Sequence, residues 1–274
     1  MTKKLITKSL DPETSPFLED LLTNAQVVVC DVDYTLLDVG RGHKAGIDKI
    51  AELFDRKLAD EVDAMFNLVL EGHRKASEED WKQRDAFNEA IKRMEELQSG
   101  IVKEYSLKVW SVETWILIVA EKYGRRLTGK DVEAGRDAYW NGRRGGSKVY
   151  KDARPFVAKL QELDKPLFLM TSGYSILRVG KDCSLQYDPD YSEKYKRDAL
   201  ADLPFSYIGM VIGDPIDKPD PRFFDKLFQE VDRKTAVSFQ TDRMKEILVI
   251  GDSERNDLHV PRQRGCTTLL IKRG

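Results

Sequence analysis

The hydrophobic pattern changes character along the chain. Val27-Val28-Val29-Cys30 is a short, unbroken apolar run rich in β-branched residues, which predicts a buried strand. A short helical pattern around Phe17–Leu22 precedes it, at the end of a polar and mixed segment. From Gly42 to about Trp140 the texture becomes helix after helix. Leu58, Val62, Met65, Phe66 and Val69 fall on one helical face, and Glu79–Gln98 is a charged amphipathic stretch. Leu107–Tyr123 is more apolar and stops at Gly124, which suits a helix C-terminus. Thr128 then reads as the N-cap of a helix through Val132 to Tyr139.

After Gly146 short apolar runs alternate with amphipathic helices. Strands are predicted at Leu167–Met170, Tyr207–Ile212, Ile247–Ile250 and Thr268–Ile271. Helices are predicted at Arg154–Leu163 and Pro221–Val231, with Pro261 opening a short one. Buried strands alternating with helices imply a parallel sheet covered on both faces. The expected fold class is therefore α/β: a Rossmann-like three-layer sandwich with a parallel sheet, carrying an inserted all-helical domain. Residues 1–40 and 148–274 form the expected core, and residues 41–147 the insertion.

Composition narrows the function. Among 274 residues, 45 basic and 47 acidic side chains leave a net charge of −2, which argues against a nucleic-acid binder. No apolar run reaches the roughly 18 residues of a membrane helix, and the first residues lack the apolar stretch of a secretory signal. Cys30, Cys183 and Cys266 are too scattered for a disulfide framework or a metal cluster. A cytoplasmic location without membrane or nucleic-acid partners is the expectation.

In a doubly wound sheet, ligands bind beyond the carboxyl ends of the strands. The first strand here runs into Asp31-Val32-Asp33-Tyr34-Thr35, and the next core strand ends in Thr171-Ser172-Gly173. Lys218 follows the third within DKPDPRFF, and the fourth runs into Gly251-Asp252-Ser253-Glu254-Arg255-Asn256-Asp257. Carboxylates, a hydroxyl and an ammonium gathered on one edge suit a hard cation and a phosphate. Any one of these acids alone would more simply be a turn or cap residue.

These four segments, in this order, resemble the signature motifs of the haloacid dehalogenase (HAD) superfamily. The helical insertion resembles the cap of its subclass I. The resemblance implies that Asp31 is a nucleophile forming an aspartyl-phosphate and that Asp33 is the general acid and base. It further implies that Thr171 binds the phosphoryl group, with Ser172 and Gly173 beside it, and that Lys218 neutralises its charge. Mg²⁺ would be held by Asp31, the Asp33 backbone carbonyl and Asp252, with Asp257 supporting. Dehalogenase and phosphonatase branches lack the second acid, so Asp33 favours phosphate esters. Ser172 stands where Asn is common, and Val260, Pro261 and Arg264 replace residues that are usually small. The expected function is a Mg²⁺-dependent phosphatase of a small phosphorylated metabolite. A phosphomutase, or a binding protein keeping the fold, are the alternatives.

Two glycine- and arginine-rich segments flank the insertion, Gly40-Arg41-Gly42 and residues 141–147. They read as hinges, with Arg41, Arg143 and Arg144 as candidate grips on an anionic substrate; a solvated linker is the plainer reading of the arginines. His43 reads as a surface helix residue rather than an acid or base on the insertion. Lys194–Arg197 reads as a solvated face, Cys30 as a small core residue, and Trp81, Trp110, Trp115 and Trp140 as packing residues.

Overall fold

The computed structural model describes residues 5–75, 80–99, 101, 111–173, 175–235 and 243–273. In chain order the first elements are β1 (Leu5–Thr7), α1 (Pro16–Asn24), β2 (Val27–Asp31), β3 (Leu37–Asp38) and α2 (Val39–Leu53). There follow α3 (Arg56–Lys75), α4 (Arg84–Leu97), α5 (Val112–Lys122), α6 (Gly129–Gly146), β4 (Lys148–Val149) and α7 (Ala153–Glu162). Next come β5 (Leu167–Ser172), β6 (Leu177–Val179), β7 (Leu185–Tyr187), α8 (Pro189–Ala199) and β8 (Gly209–Gly213). The last are α9 (Pro221–Thr235), β9 (Ile247–Gly251), α10 (His259–Gln263) and β10 (Thr267–Ile271).

Contacts divide the chain into two compact units. The first comprises Met1–Gly40, Ser147–Gly173 and Ala201–Gly274. Its centre is a six-stranded sheet in the order β1-β10-β9-β2-β5-β8, with every pairing parallel. β2, β8 and β9 are buried along their whole length, which is why they read as continuous apolar runs rather than alternating ones. On one face, Phe223, Phe224, Leu227 and Val231 of α9 pack with Phe168, Val29 and Val249. Each such side chain contributes about 1.5–3 kcal/mol by leaving water. Strand β1, too short to stand out in its polar surroundings, adds an edge beside β10. Pro261 lies inside α10 rather than opening it, because a helical turn over Glu254–Leu258 already precedes.

The second unit comprises Arg41–Gly146 and also Tyr174–Leu200. The latter segment was expected with the sheet, and the reason for its transfer is a set of buried contacts. Glu113, at the start of α5, accepts the Leu177 N–H at 3.0 Å. Arg136 of α6 donates to the Leu177 carbonyl at 3.1 Å, so both backbone polar groups of this one β6 residue are held by buried side chains. Tyr191 and Tyr195 of α8 lie over the same guanidinium, at 5.7 and 5.5 Å. Lys196 is accordingly buried beside Trp140 rather than solvated.

Local signals in this unit match the chemistry. Gly124 has φ +62°, the left-handed conformation that ends α5. The Thr128 hydroxyl accepts the Asp131 N–H while the Asp131 carboxylate accepts the Thr128 N–H, capping α6 reciprocally. Trp81, Trp115 and Trp140 are packing residues; Trp110 and Leu107 lie outside the described residues.

The hinge expectation is corrected. Gly40, Arg41 and Gly42 lie in α2, and residues 141–146 lie in α6. A Cβ on Gly142 would stand 2.5 Å from the Ala45 carbonyl oxygen, and one on Gly146 2.5 Å from the Ala45 Cβ. These two glycines are small because two helix backbones meet there.

Candidate active site

Sheet register brings the motif residues to one edge. Asp31 ends β2 and pairs with Met170, and Thr171 follows Met170. Cys30 pairs with Ile250 of β9, so Gly251 and Asp252 continue level with Asp31 and beyond it. Thr171 pairs with Ile212 and Ser172 with Gly213, which places the loop bearing Lys218 at the same edge.

The Lys218 ammonium lies 2.5 Å from Asp31 Oδ1 and 2.6 Å from Asp257 Oδ1, and all three side chains are buried. The second Asp257 oxygen accepts the Ser253 N–H at 2.8 Å. Gly251 makes room for this acid: a Cβ there would fall 2.5 Å from that of Asp257. Ser253 in turn caps the following turn by accepting the Asn256 N–H. Leu258 and Val260 anchor that turn in the core, so the bulkier residues after motif four are accommodated there.

Carboxylates exceed ammoniums at this edge. Asp31, Asp252 and Asp257 offer oxygens that all lie within 4.8 Å of one another. Burial pushes the Asp31 carboxyl well above its usual range; Lys218 opposes this, and Asp257 and Asp252 add to it. Asp252 is pushed up to about 7, first by desolvation and then by Asp257. Burial disfavours the charge on Lys218, but Asp257 and Asp31 outweigh it and hold the ammonium protonated. Asp31 Oδ2 is buried and has no hydrogen-bond partner among the described residues. A buried oxygen left unpaired within a cluster of acids is the arrangement that a hard cation with oxygen ligands completes.

The motif-one turn is tightly made. The Val32 carbonyl accepts both the Leu36 and Leu37 N–H groups, and the Tyr34 N–H reaches the Leu37 carbonyl at 2.8 Å. Tyr34 takes φ +60°, and half-buried Asp33 forms a bridge with Leu37. Thr171 is fully buried. Gly173 donates to the Gly213 carbonyl at 3.0 Å, a contact closer than any side chain at this position would allow.

The arginines and His43 belong to the second unit. Arg41 is exposed in the first turn of α2, and Arg144 is exposed and donates to Asn141 at 3.3 Å. Arg143 is buried, with its guanidinium 5.5 Å from the Trp140 ring centre. His43 is not at the surface: its ring stacks on Phe66, one nitrogen bonds Asp63 at 2.8 Å and the other Tyr139 at 2.9 Å. Burial lowers its pKa, with Asp63 opposing.

The chain is thus an α/β protein with a lysine-bridged acid at the carboxyl end of a central strand of its parallel sheet. The family model of haloacid dehalogenase-like hydrolases matches residues 25–262, and the chain belongs to that family. No curated protein sequence matches it. Among solved structures it is similar to the HAD-hydrolase YfnB of Bacillus subtilis, determined bound to magnesium, at 14% identity and a TM-score of 0.53 over 90% of this chain and 86% of that one. It also matches a HAD phosphatase of Thermococcus onnurineus (17% identity, TM-score 0.44, 91% and 87% covered). A 2-haloacid dehalogenase of Pseudomonas syringae pv. Tomato matches at 12% identity and a TM-score of 0.49, with 90% and 86% covered. Among the described residues, no helix is long and apolar enough to cross a membrane.

Proposed function

We propose that this hydrolase is a Mg²⁺-dependent phosphatase that cleaves a small phosphorylated metabolite through an aspartyl-phosphate. The observation that carries this reading is the buried Asp31, bridged by Lys218 on Oδ1 and without a partner on Oδ2 among the described residues, beside Asp252 and Asp257. A carboxylate oxygen of Asp31 attacks phosphorus, and the bond to the leaving oxygen breaks. Asp33 donates its proton to that oxygen, then takes one from the water that attacks the acyl phosphate and releases inorganic phosphate. Lys218 and Thr171 bind the phosphoryl oxygens, where negative charge spreads in the transition state.

The acid cluster fits a divalent ion. Mg²⁺ would be held by Asp31, Asp252 and the Asp33 carbonyl, with Asp257 behind them, and would offset the charge of the incoming phosphate. Asp33 separates this reading from dehalogenation, in which a halide departs without needing a proton. The discriminating experiment offers the protein aryl phosphates and 2-haloacids, each with Mg²⁺ and with EDTA. Phosphate release that EDTA abolishes is expected. Halide release without phosphate release would overturn the reading.

A further inference from the structure

The turn that follows the nucleophile is held from outside as well as from within. Beyond its internal hydrogen bonds, it turns the Thr35 and Leu36 carbonyls outward. The Leu36 carbonyl accepts the Tyr150 N–H at 3.0 Å. The Thr35 carbonyl accepts an N–H of the Arg273 guanidinium. Arg273 lies two residues past β10, and β9 separates β10 from β2 in the sheet.

Arg273 is itself fixed on two further sides. Its Nη1 donates to Asp152 Oδ2 at 2.5 Å, and its guanidinium lies 4.0 Å from the Tyr150 ring centre. Asp152 Oδ2 also accepts the Leu10 N–H at 2.7 Å and the Ser9 hydroxyl at 3.2 Å. Burial would raise the Asp152 pKa, but the Arg273 bond and the Leu10 N–H together lower it, so the acid stays ionised. Both side chains are only 14% exposed. Four chain segments that are remote in sequence thus meet at one planar fork, which a lysine could not reproduce.

We propose that Arg273 is a positioning residue for the motif-one turn, with Asp152 and Tyr150 orienting its guanidinium. Among the described residues its partners are Thr35, Asp152 and Tyr150, none of them a reacting group of the proposed mechanism. Arg273 acts by keeping the segment between Asp31 and Leu37 in register, because its guanidinium holds the Thr35 carbonyl directly and packs on Tyr150, whose N–H holds the Leu36 carbonyl. A displacement of about 1 Å at a reacting centre costs up to about a hundredfold in rate. The effect on turnover rests on the phosphatase reading; the effect on the turn does not.

The test uses the full chain with Arg273→Ala and Arg273→Lys. Amide hydrogen exchange of Leu36 and Leu37 should accelerate about tenfold or more in the alanine variant, while Val28 and Leu169 in the sheet stay at wild-type rates. On an aryl phosphate, kcat should fall by about ten- to a hundredfold with KM within about twofold. Added guanidinium at low millimolar concentration should restore part of the alanine variant's kcat, and ammonium should not. The lysine variant should retain its fold and show the same local acceleration. Wild-type exchange at Leu36 and Leu37, or an equal acceleration at Val28 and Leu169, would overturn the proposal. If the wild-type protein turned over no phosphate ester, the functional reading would fail and the exchange rates alone would decide.

Discussion

The Lys218 ammonium sits 2.5 Å from Asp31 Oδ1, while Asp31 Oδ2 has no hydrogen-bond partner among the described residues. One contact therefore does two things: it supplies positive charge to a buried acid and leaves the other oxygen open. The same ammonium reaches Asp257 at 2.6 Å, so it ties the first motif to the fourth.

Lys218→Met tests the structural half of that role. The variant keeps the side-chain volume but leaves Asp31 and Asp257 buried without their cation. Stability should drop by about 3–5 kcal/mol at neutral pH, read as a lower urea midpoint with an unchanged slope. An unchanged midpoint would mean that the two acids do not depend on Lys218.

Divalent ions should stabilise the folded protein. At a hundredfold excess over its dissociation constant, Mg²⁺ would add about 2.7 kcal/mol and raise the melting temperature. EDTA should reverse the shift, and Asp252→Asn should largely remove it. A wild-type melting temperature indifferent to Mg²⁺ would contradict the assignment of the acid cluster.

The glycines of α6 separate close packing from hinge motion. Gly142→Ala would press a methyl against the Ala45 carbonyl at 2.5 Å, whereas a Cβ on Gly145 meets nothing within 4 Å. Overpacking should cost Gly142→Ala about 1–3 kcal/mol. Gly145→Ala should gain up to about 1 kcal/mol from helix propensity. Equal effects in denaturant titrations would argue against the helix–helix contact.

Glu113 should make the second unit sensitive to pH. Burial raises its pKa from 4.5 to about 7, against the pull of Arg136 and its hydrogen bonds. The folded state thus binds this proton more tightly than the unfolded state. Its stabilising contribution is full below about pH 4.5 and is lost as pH rises through about 7. Glu113→Gln keeps the acceptor for Leu177 and removes the titration. The variant should gain on the order of 1–3 kcal/mol over wild type at about pH 8 relative to about pH 5. A wild-type-to-variant difference that is flat with pH would contradict this.

Much of the site was legible because its residues sit at the ends of apolar runs. Val27–Cys30 announces a strand, so Asp31 must emerge at its carboxyl end; the same logic places Thr171 and Asp252. Contacts between remote segments leave no such mark. Nothing near Glu113 or Arg136 in the sequence indicates that both grip Leu177, and so Tyr174–Leu200 was assigned to the sheet. A glycine signals only that a side chain is absent, so Gly142 reads as a hinge, although the structure sets it against the Ala45 backbone. Arg273 and Asp152 were missed for the same reason, being single charged residues 121 positions apart.

The most direct measurement is mass spectrometry of the Asp33→Asn variant after mixing with an aryl phosphate and Mg²⁺. A good leaving group departs without the acid, while hydrolysis of the intermediate still lacks its base, so phosphoenzyme should accumulate. The account predicts a phosphoryl increment on the peptide that carries Asp31, absent when Asp31→Asn is added to the same chain. An unmodified Asp31 peptide, together with phosphate release by the wild type at its normal rate, would contradict it.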